Sequence, residues 1–349
     1  MAPKFERGNM KYRFLGNTGL RVSEISLGSW ITFGGQVGDD ELALACFREA
    51  WKNGINFFDT AEGYHAGAAE ESLGKAFRQL GWSRSDFVVC TKIYWGGDGP
   101  NDVGLSRKHI LEGTQKSLGR LQLEYVDVIM AHRCDPATPM EEVVRAFSDL
   151  VQRGKALYWG TSEWTAAEVE SACQVAARLG LVRPVCDQPQ YNMFTRKRVE
   201  EEYRDARLYD KYRYGLTVWS PLASGILSGK YNDLKVPDGS RLAIKEDQFM
   251  RAFKEKLSTP EGRAEIDKVK AAGRIAEELG CTMAQLAIAW CLKNQNVSTV
   301  ITGASRPEQI AENAKAVQVV ERITPDMLAK IDDIMGNKPP GVQYFDRDI

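Results

Sequence analysis

From Ile25 onward, short apolar runs of strand length alternate with longer stretches in which apolar residues recur at helical spacing. That alternation is the signature of repeated βα units and a parallel sheet. The predicted strands are Ile25–Leu27, Asn56–Asp59, Phe87–Lys92, Val126–His132, Leu157–Ser162, Val185–Gln188, Leu216–Ser220 and Ser298–Thr302, eight in all. Helices are predicted between them at Asp39–Asn53, Glu70–Leu80, Ser106–Leu121, Met140–Gln152, Ala166–Leu179 and Pro307–Val317. Asp39 is a capping residue for the first, Gly54 and Gly180 are stop signals, and Pro307 suits a first turn because its missing N–H would have no partner there. Eight strands in strict alternation with helices favour a closed (β/α)8 barrel over an open sheet, since closure leaves no edge strand.

Two segments break the alternation. Over Tyr12–Val22, apolar pairs flank Gly16-Asn17-Thr18-Gly19, which predicts a β-hairpin before the barrel. A charged stretch from Tyr231 to Gly262, containing Pro237-Asp238-Gly239, predicts a long loop insertion after the seventh strand, and loops of that length in compact domains tend to carry function. No repeat or Pro/Ser-rich linker marks a second domain. The expected organisation is a flexible N-terminal segment over 1–10, one barrel domain over 11–338 and a C-terminal tail over 339–349.

The 349 residues are within the usual range for a single α/β barrel. With 46 Lys and Arg against 47 Asp and Glu, no global field favours nucleic acid or an anionic membrane, so any phosphate site must be local. The seven cysteines form no CxxC pair and lie mostly in apolar segments, which suits a reducing compartment. The polar opening, Met1 to Asn9, has no signal-peptide core, and no stretch is apolar for the length of a membrane span. The expectation is a cytoplasmic protein without direct membrane insertion. Asn296-Val297-Ser298 is read as a chance sequon.

In a parallel barrel the active site forms at the C-terminal ends of the strands. The second to seventh strands end in Asp59, Lys92, His132, Ser162, Gln188 and Trp219-Ser220. Taken singly, each has a structural explanation: Asp59 as a cap, Lys92 reaching for solvent, His132 as a satisfied core residue. Together at one rim, they point to chemistry, because stability alone gives no reason for buried charges to end successive strands. Tyr64, on the loop after the second strand, supplies the acid. The Lys92 ammonium is expected to lower its pKa, Asp59 to hold Lys92 charged, and His132 to hydrogen-bond the oxygen being protonated. The hydride requires a cofactor. Cys134 beside His132 is a weaker nucleophile–base candidate. His65, His109 and His132 lack metal-ligand spacing, so no metal is expected.

The run Asn56-Phe57-Phe58-Asp59-Thr60-Ala61-Glu62-Gly63-Tyr64, with Lys92 and His132, resembles the aldo-keto reductase superfamily, whose fold is a TIM barrel. Trp30–Gln36, Gly104–Ile110, Leu121–Asp127 and Gln285–Cys291 are similar to its voltage-gated potassium-channel β-subunit branch. The resemblance implies a catalytic tetrad of Asp59, Tyr64, Lys92 and His132 and a bound NADP(H), without a Rossmann fingerprint. It implies that Ser162 and Gln188 hold the nicotinamide carboxamide, that Trp219 stacks on the ring, and that Ser220, Pro221, Leu222, Ala223, Ser224, Lys230 and Arg241 line the pyrophosphate. Gly303, Ser305, Arg306, Gln309, Glu312 and Asn313 are assigned to the adenosine 2′-phosphate and adenine, and Ser29, Trp30 and Gln36 to the cofactor as well. Ser305 and Arg306 also precede a helix start, where backbone N–H groups favour an anion, which argues for NADP over NAD. Gly225–Lys230 has the wrong glycine spacing for a P-loop.

Trp30, His65, Tyr94, Trp95 and Trp164 form the expected substrate pocket, suited to aromatic or medium-sized apolar carbonyl compounds. His65 is read alternatively as a solvated loop residue. The channel-subunit pattern has Asn where this chain has His132 and Arg where it has Glu163. His132 favours a working reductase of aldehydes or ketones, and Glu163 alters the expected nicotinamide-side contacts. The alternative is an NADPH-binding regulatory β-subunit with slow or vestigial turnover. The branch also implies a homotetramer.

Overall fold

The chain was analysed as a computed structural model that describes residues 4–30, 33–35, 40–243 and 248–341. Gln36 and most of the tail lie outside the described residues. The chain opens with an antiparallel hairpin, β1 (Tyr12–Phe14) and β2 (Arg21–Ser23). The barrel strands are β3 (Ile25–Gly28), β4 (Phe57–Asp59), β5 (Val88–Ile93), β6 (Val126–Ala131), β7 (Ala156–Thr161), β8 (Cys186–Asp187), β9 (Gly215–Val218) and β10 (Val297–Thr302). Each pairs in parallel with its neighbour, and β10 closes on β3 through Val300–Ile25 and Thr302–Leu27. The expected (β/α)8 barrel is the fold observed.

Around it run α1 (Asp40–Lys52), α2 (Ala68–Leu80), α3 (Arg107–Leu121), α4 (Met140–Gln152), α5 (Ala166–Leu179), the short α6 (Tyr203–Asp205) and α7 (Leu208–Tyr212), α8 (Gln248–Lys256), α9 (Pro260–Glu278), α10 (Met283–Lys293), α11 (Pro307–Ala314) and α12 (Pro325–Met335). In α5 a reciprocal capping box between Thr165 and Glu168 satisfies two first-turn donors, and left-handed Gly180 ends the helix. The insertion after the seventh barrel strand differs from a plain loop: it contains α8 and the start of α9, which Thr259 caps and Pro260 opens. Among the described residues no single helix is long and apolar enough to cross a membrane.

The two-residue period of the strands sets the interior. Phe57, Val88, Cys90, Val128, Met130 and Cys186 gather with the hairpin's Leu15 and Val22 in one buried cluster that fills the lower barrel. Continuing the same alternation upward gives Asp59, Lys92, His132, Ser162 and Gln188, so one pattern carries the interior from apolar to polar. The hairpin plugs the bottom so closely that a side chain at Gly16 (φ 54°) would lie 2.5 Å from the Val185 carbonyl oxygen. Arg13 ties it down, donating to Glu24 (2.7 Å) and to the Leu292 and Val297 carbonyls (2.8 Å each). Ahead of it, in the segment expected to be flexible, Phe5 packs edge-on against Trp51 at 4.7 Å and Met10 is buried.

Candidate active site

Lys92 is fully buried, and its three directions are all used. Nζ donates to Asp59 Oδ2 at 2.6 Å and to the Thr60 carbonyl at 2.7 Å, and lies 3.1 Å from the Tyr64 hydroxyl. Gln188 holds the other Asp59 oxygen through Nε2 at 2.9 Å. The Tyr64 ring meets His132 edge-on at 5.7 Å, and Trp95 covers His132 at 4.8 Å. Tyr64 reaches this position on a tight turn after β4. At Gly63 a Cβ would lie 2.7 Å from the Trp95 carbonyl oxygen, so only glycine lets the two loops meet there.

The electrostatics differ in one respect from the sequence expectation. Burial raises the Tyr64 phenol above the usual tyrosine value, and the opposing pull of Lys92 does not overcome it, partly because Asp59 adds to the rise. Burial works against the Lys92 ammonium, but the Asp59 carboxylate and Tyr64 more than offset it and hold the group above the ordinary lysine range. Burial, followed by the Lys92 and Arg133 charges, drops the His132 imidazole well below its usual value, so it is neutral at physiological pH. Its Nδ1 is buried without a protein partner among the described residues.

These groups open into a cavity of about 950 Å³ that extends from Asp59, Tyr64 and His132 to Arg306 and Asn313. Of the residues predicted from the sequence, Trp30, Trp95, Ser162, Gln188, Trp219, Ser220, Pro221, Leu222, Ser224, Lys230, Arg241, Gly303, Ser305, Arg306, Gln309, Glu312 and Asn313 line it. Ser29 and Ala223 are buried outside the lining. Trp164 is fully buried, because Glu163 takes a left-handed backbone (φ 59°) and the next residue turns into the core, where its carbonyl accepts from Tyr203 and Arg198. Tyr94 meets Trp95 edge-on outside the lining, and exposed His65 lies under Gly35, where a Cβ would be 2.1 Å from its Cε1. Arg133 and the Pro237–Arg241 turn line the cavity without having been predicted as a group. The turn could have been found from the insertion itself, and Arg133 from its place next to His132.

The far end of the cavity suits phosphate. Partial burial and the charges of Arg241 and Arg306 depress the Lys230 ammonium, so like charges crowd there in a way an anion would relieve. Ser220, Ala223 and Ser224 adopt left-handed φ of 55°, 46° and 57°, sparse conformations that gather at ligand clamps. Ser305 and Arg306 precede the N-terminus of α11, and Gln309 Oε1 accepts from the Ser305 N–H at 2.9 Å. Glu163, where the channel pattern has Arg, accepts from Trp219 Nε1 at 2.8 Å and from the Gln190 N–H. It thereby fixes the indole that borders the cavity.

The aldo/keto reductase family model matches residues 24–335. The chain belongs to the aldo/keto reductase family. Within this family of oxidoreductases, a Schizosaccharomyces pombe protein provisionally named a voltage-gated potassium channel subunit beta is 52% identical over 342 residues, 97% of each chain. An Arabidopsis thaliana protein with a similarly provisional name is 51% identical over 336 residues, covering 95% of this chain and 98% of the relative. Cys134, the rival nucleophile, has its thiol pushed up to about 12 by burial and by the Glu168 carboxylate, the opposite of an activated cysteine. Among the described residues no group of His, Cys, Asp and Glu could hold a metal ion.

Proposed function

We propose that this aldo/keto reductase reduces aldehydes or ketones to alcohols with NADPH, and that Tyr64 is the proton donor. The observation that carries the reading is the hydrogen-bonded chain from Asp59 through Lys92 to Tyr64, with neutral His132 beside it at the cavity floor. When bound, NADPH supplies hydride to the carbonyl carbon. Ser162, Gln188 and Trp219 would hold its nicotinamide end, Lys230 and Arg241 the pyrophosphate, and Ser305 and Arg306 the 2′-phosphate.

The protein's part is proton delivery. A phenol kept above its usual pKa stays loaded at neutral pH, and transfer becomes favourable as the carbonyl oxygen gains negative charge. Lys92 then stabilises the phenolate left on Tyr64, so its contribution is largest in the transition state. His132, neutral, donates one hydrogen bond to the same oxygen without competing as an acid.

The test is NADPH consumption with a panel of aromatic and aliphatic aldehydes, comparing the native protein with Tyr64→Phe. Turnover lost in the variant with cofactor affinity kept supports the reading, whereas tight cofactor binding without turnover in the native protein overturns it. The names of the relatives support a second reading, an NADPH-binding regulatory channel subunit in which turnover at the same site is slow or vestigial.

A further inference from the structure

The cations at the phosphate end have an assigned partner in the cofactor, and Lys92 is neutralised by Asp59. Among the described residues, one cation on the cavity wall remains. Arg133 follows His132 directly, lines the cavity and is half-buried. Its Nη1 donates to the His132 carbonyl at 2.5 Å and to Ser162 Oγ at 3.2 Å, which pins the guanidinium, and its Cζ lies 5.5 Å from the Trp95 ring centroid. Nε and Nη2 have no partner among the described residues. Four other arginines that are at least half-buried, Arg13, Arg84, Arg120 and Arg196, each meet a carboxylate at 2.6–2.7 Å. A pinned, half-buried guanidinium with its fork-shaped donor edge unused is suited to bidentate capture of a planar anion.

Trp95 links this edge to the reaction floor, since its indole meets both the His132 ring, at 4.8 Å between centroids, and the Arg133 guanidinium. A carbonyl oxygen held by Tyr64 and His132 therefore belongs to a molecule whose body lies along Trp95, with Arg133 at hand for a second functional group. We propose that the preferred substrates are aromatic carbonyl compounds that also bear a carboxylate, which Arg133 recognises. This rests on the reading of the site as a carbonyl reductase and narrows its substrate class from neutral aromatics to anionic ones. Arg133 also adds positive potential at His132 and Tyr64, and a bound carboxylate would balance it.

The experiment measures kcat/KM for the 2-, 3- and 4-carboxybenzaldehydes against their methyl esters, in the native protein and in Arg133→Met and Arg133→Lys. At least one acid is expected to exceed its ester by 10-fold or more. That ratio should fall to near one in Arg133→Met and recover in part in Arg133→Lys, which keeps charge but not the fork. Independently of turnover, calorimetry on the NADP⁺-loaded protein should show phthalate isomers binding more tightly than their diamides, with the difference lost in Arg133→Met. Acid-to-ester ratios near one in the native protein, or ratios unchanged by Arg133→Met, overturn the proposal while leaving the reductase reading intact. Arg133→Met weakening NADPH binding while the acid preference persists also overturns it, by assigning Arg133 to the cofactor. Arg133-dependent carboxylate binding with no turnover of any aldehyde would keep the anion site and sink the reductase reading instead.

Discussion

Replacing Lys92 with methionine isolates what the buried pair contributes. The native Nζ to Oδ2 distance of 2.6 Å corresponds, at an effective dielectric of about 20, to a gross attraction of about 6 kcal/mol. Much of that offsets the desolvation of two charges whose side chains are 0% and 4% exposed. Lys92→Met leaves the Asp59 carboxylate with only Gln188 and no counter-charge, a situation that costs about 3–5 kcal/mol in buried pairs. Lys92→Met/Asp59→Asn removes both charges, keeps an amide within reach of Gln188, and should recover at least half of the loss. Urea unfolding of native, both single variants and the double variant gives the coupling directly. A double variant no more stable than Lys92→Met, or a single-variant loss below about 1 kcal/mol, would refute the account of an isolated buried ion pair. Activity should stay low in all three variants, since Tyr64 loses its partner or its partner's anchor in each.

The raised Tyr64 phenol and the depressed His132 predict a reduction rate flat through neutral pH that falls only above the ordinary tyrosine range; a fall between about pH 7 and 9 would mean that Lys92 wins over burial after all. Burial, reinforced by the Glu163 charge, raises the Asp187 carboxyl to about 7 against the donors Thr161 and Trp164. A raised carboxyl favours the fold in its protonated form, so that contribution is complete below the ordinary carboxylate value and is lost as pH rises through about 7. Asp187→Asn should remove up to about 3–4 kcal/mol of this dependence, and an unchanged stability slope between pH 4 and 7 would contradict it. Arg306→Ala should weaken NADPH by roughly 10- to 100-fold and NADH far less, measured by cofactor fluorescence; equal losses would remove Arg306 from the 2′-phosphate.

The upper rim was legible because two simple periods coincide there. Strand alternation aims Asp59, Lys92 and His132 inward, and the barrel rule places their ends at one mouth. The direction of the Tyr64 shift was not, because charge proximity can be guessed from residue types whereas the depth of desolvation needs coordinates. Trp164 was misplaced for a local reason: a single left-handed residue, Glu163, reverses the expected direction, and nothing in a Glu foretells positive φ. The helical part of the insertion did leave signs. Thr259-Pro260 is a helix start, and Ile266, Val269, Ala272, Ile275 and Ala276 recur at helical spacing, although that spacing becomes visible only beyond Gly262.

The junction of β10 with β3 joins residues 300–302 to residues 25–27. During synthesis the N-terminal strand must therefore wait for almost the whole barrel to emerge before its outer edge is covered. Loop closure over that span is entropically slow, and an uncovered strand is a template for mispairing. The hairpin offers only interim shelter, because Arg13 also finds its carbonyl partners at Leu292 and Val297. Translation speed and chaperone occupancy over the last quarter of the chain should thus govern the yield of folded protein more than either does over the first three.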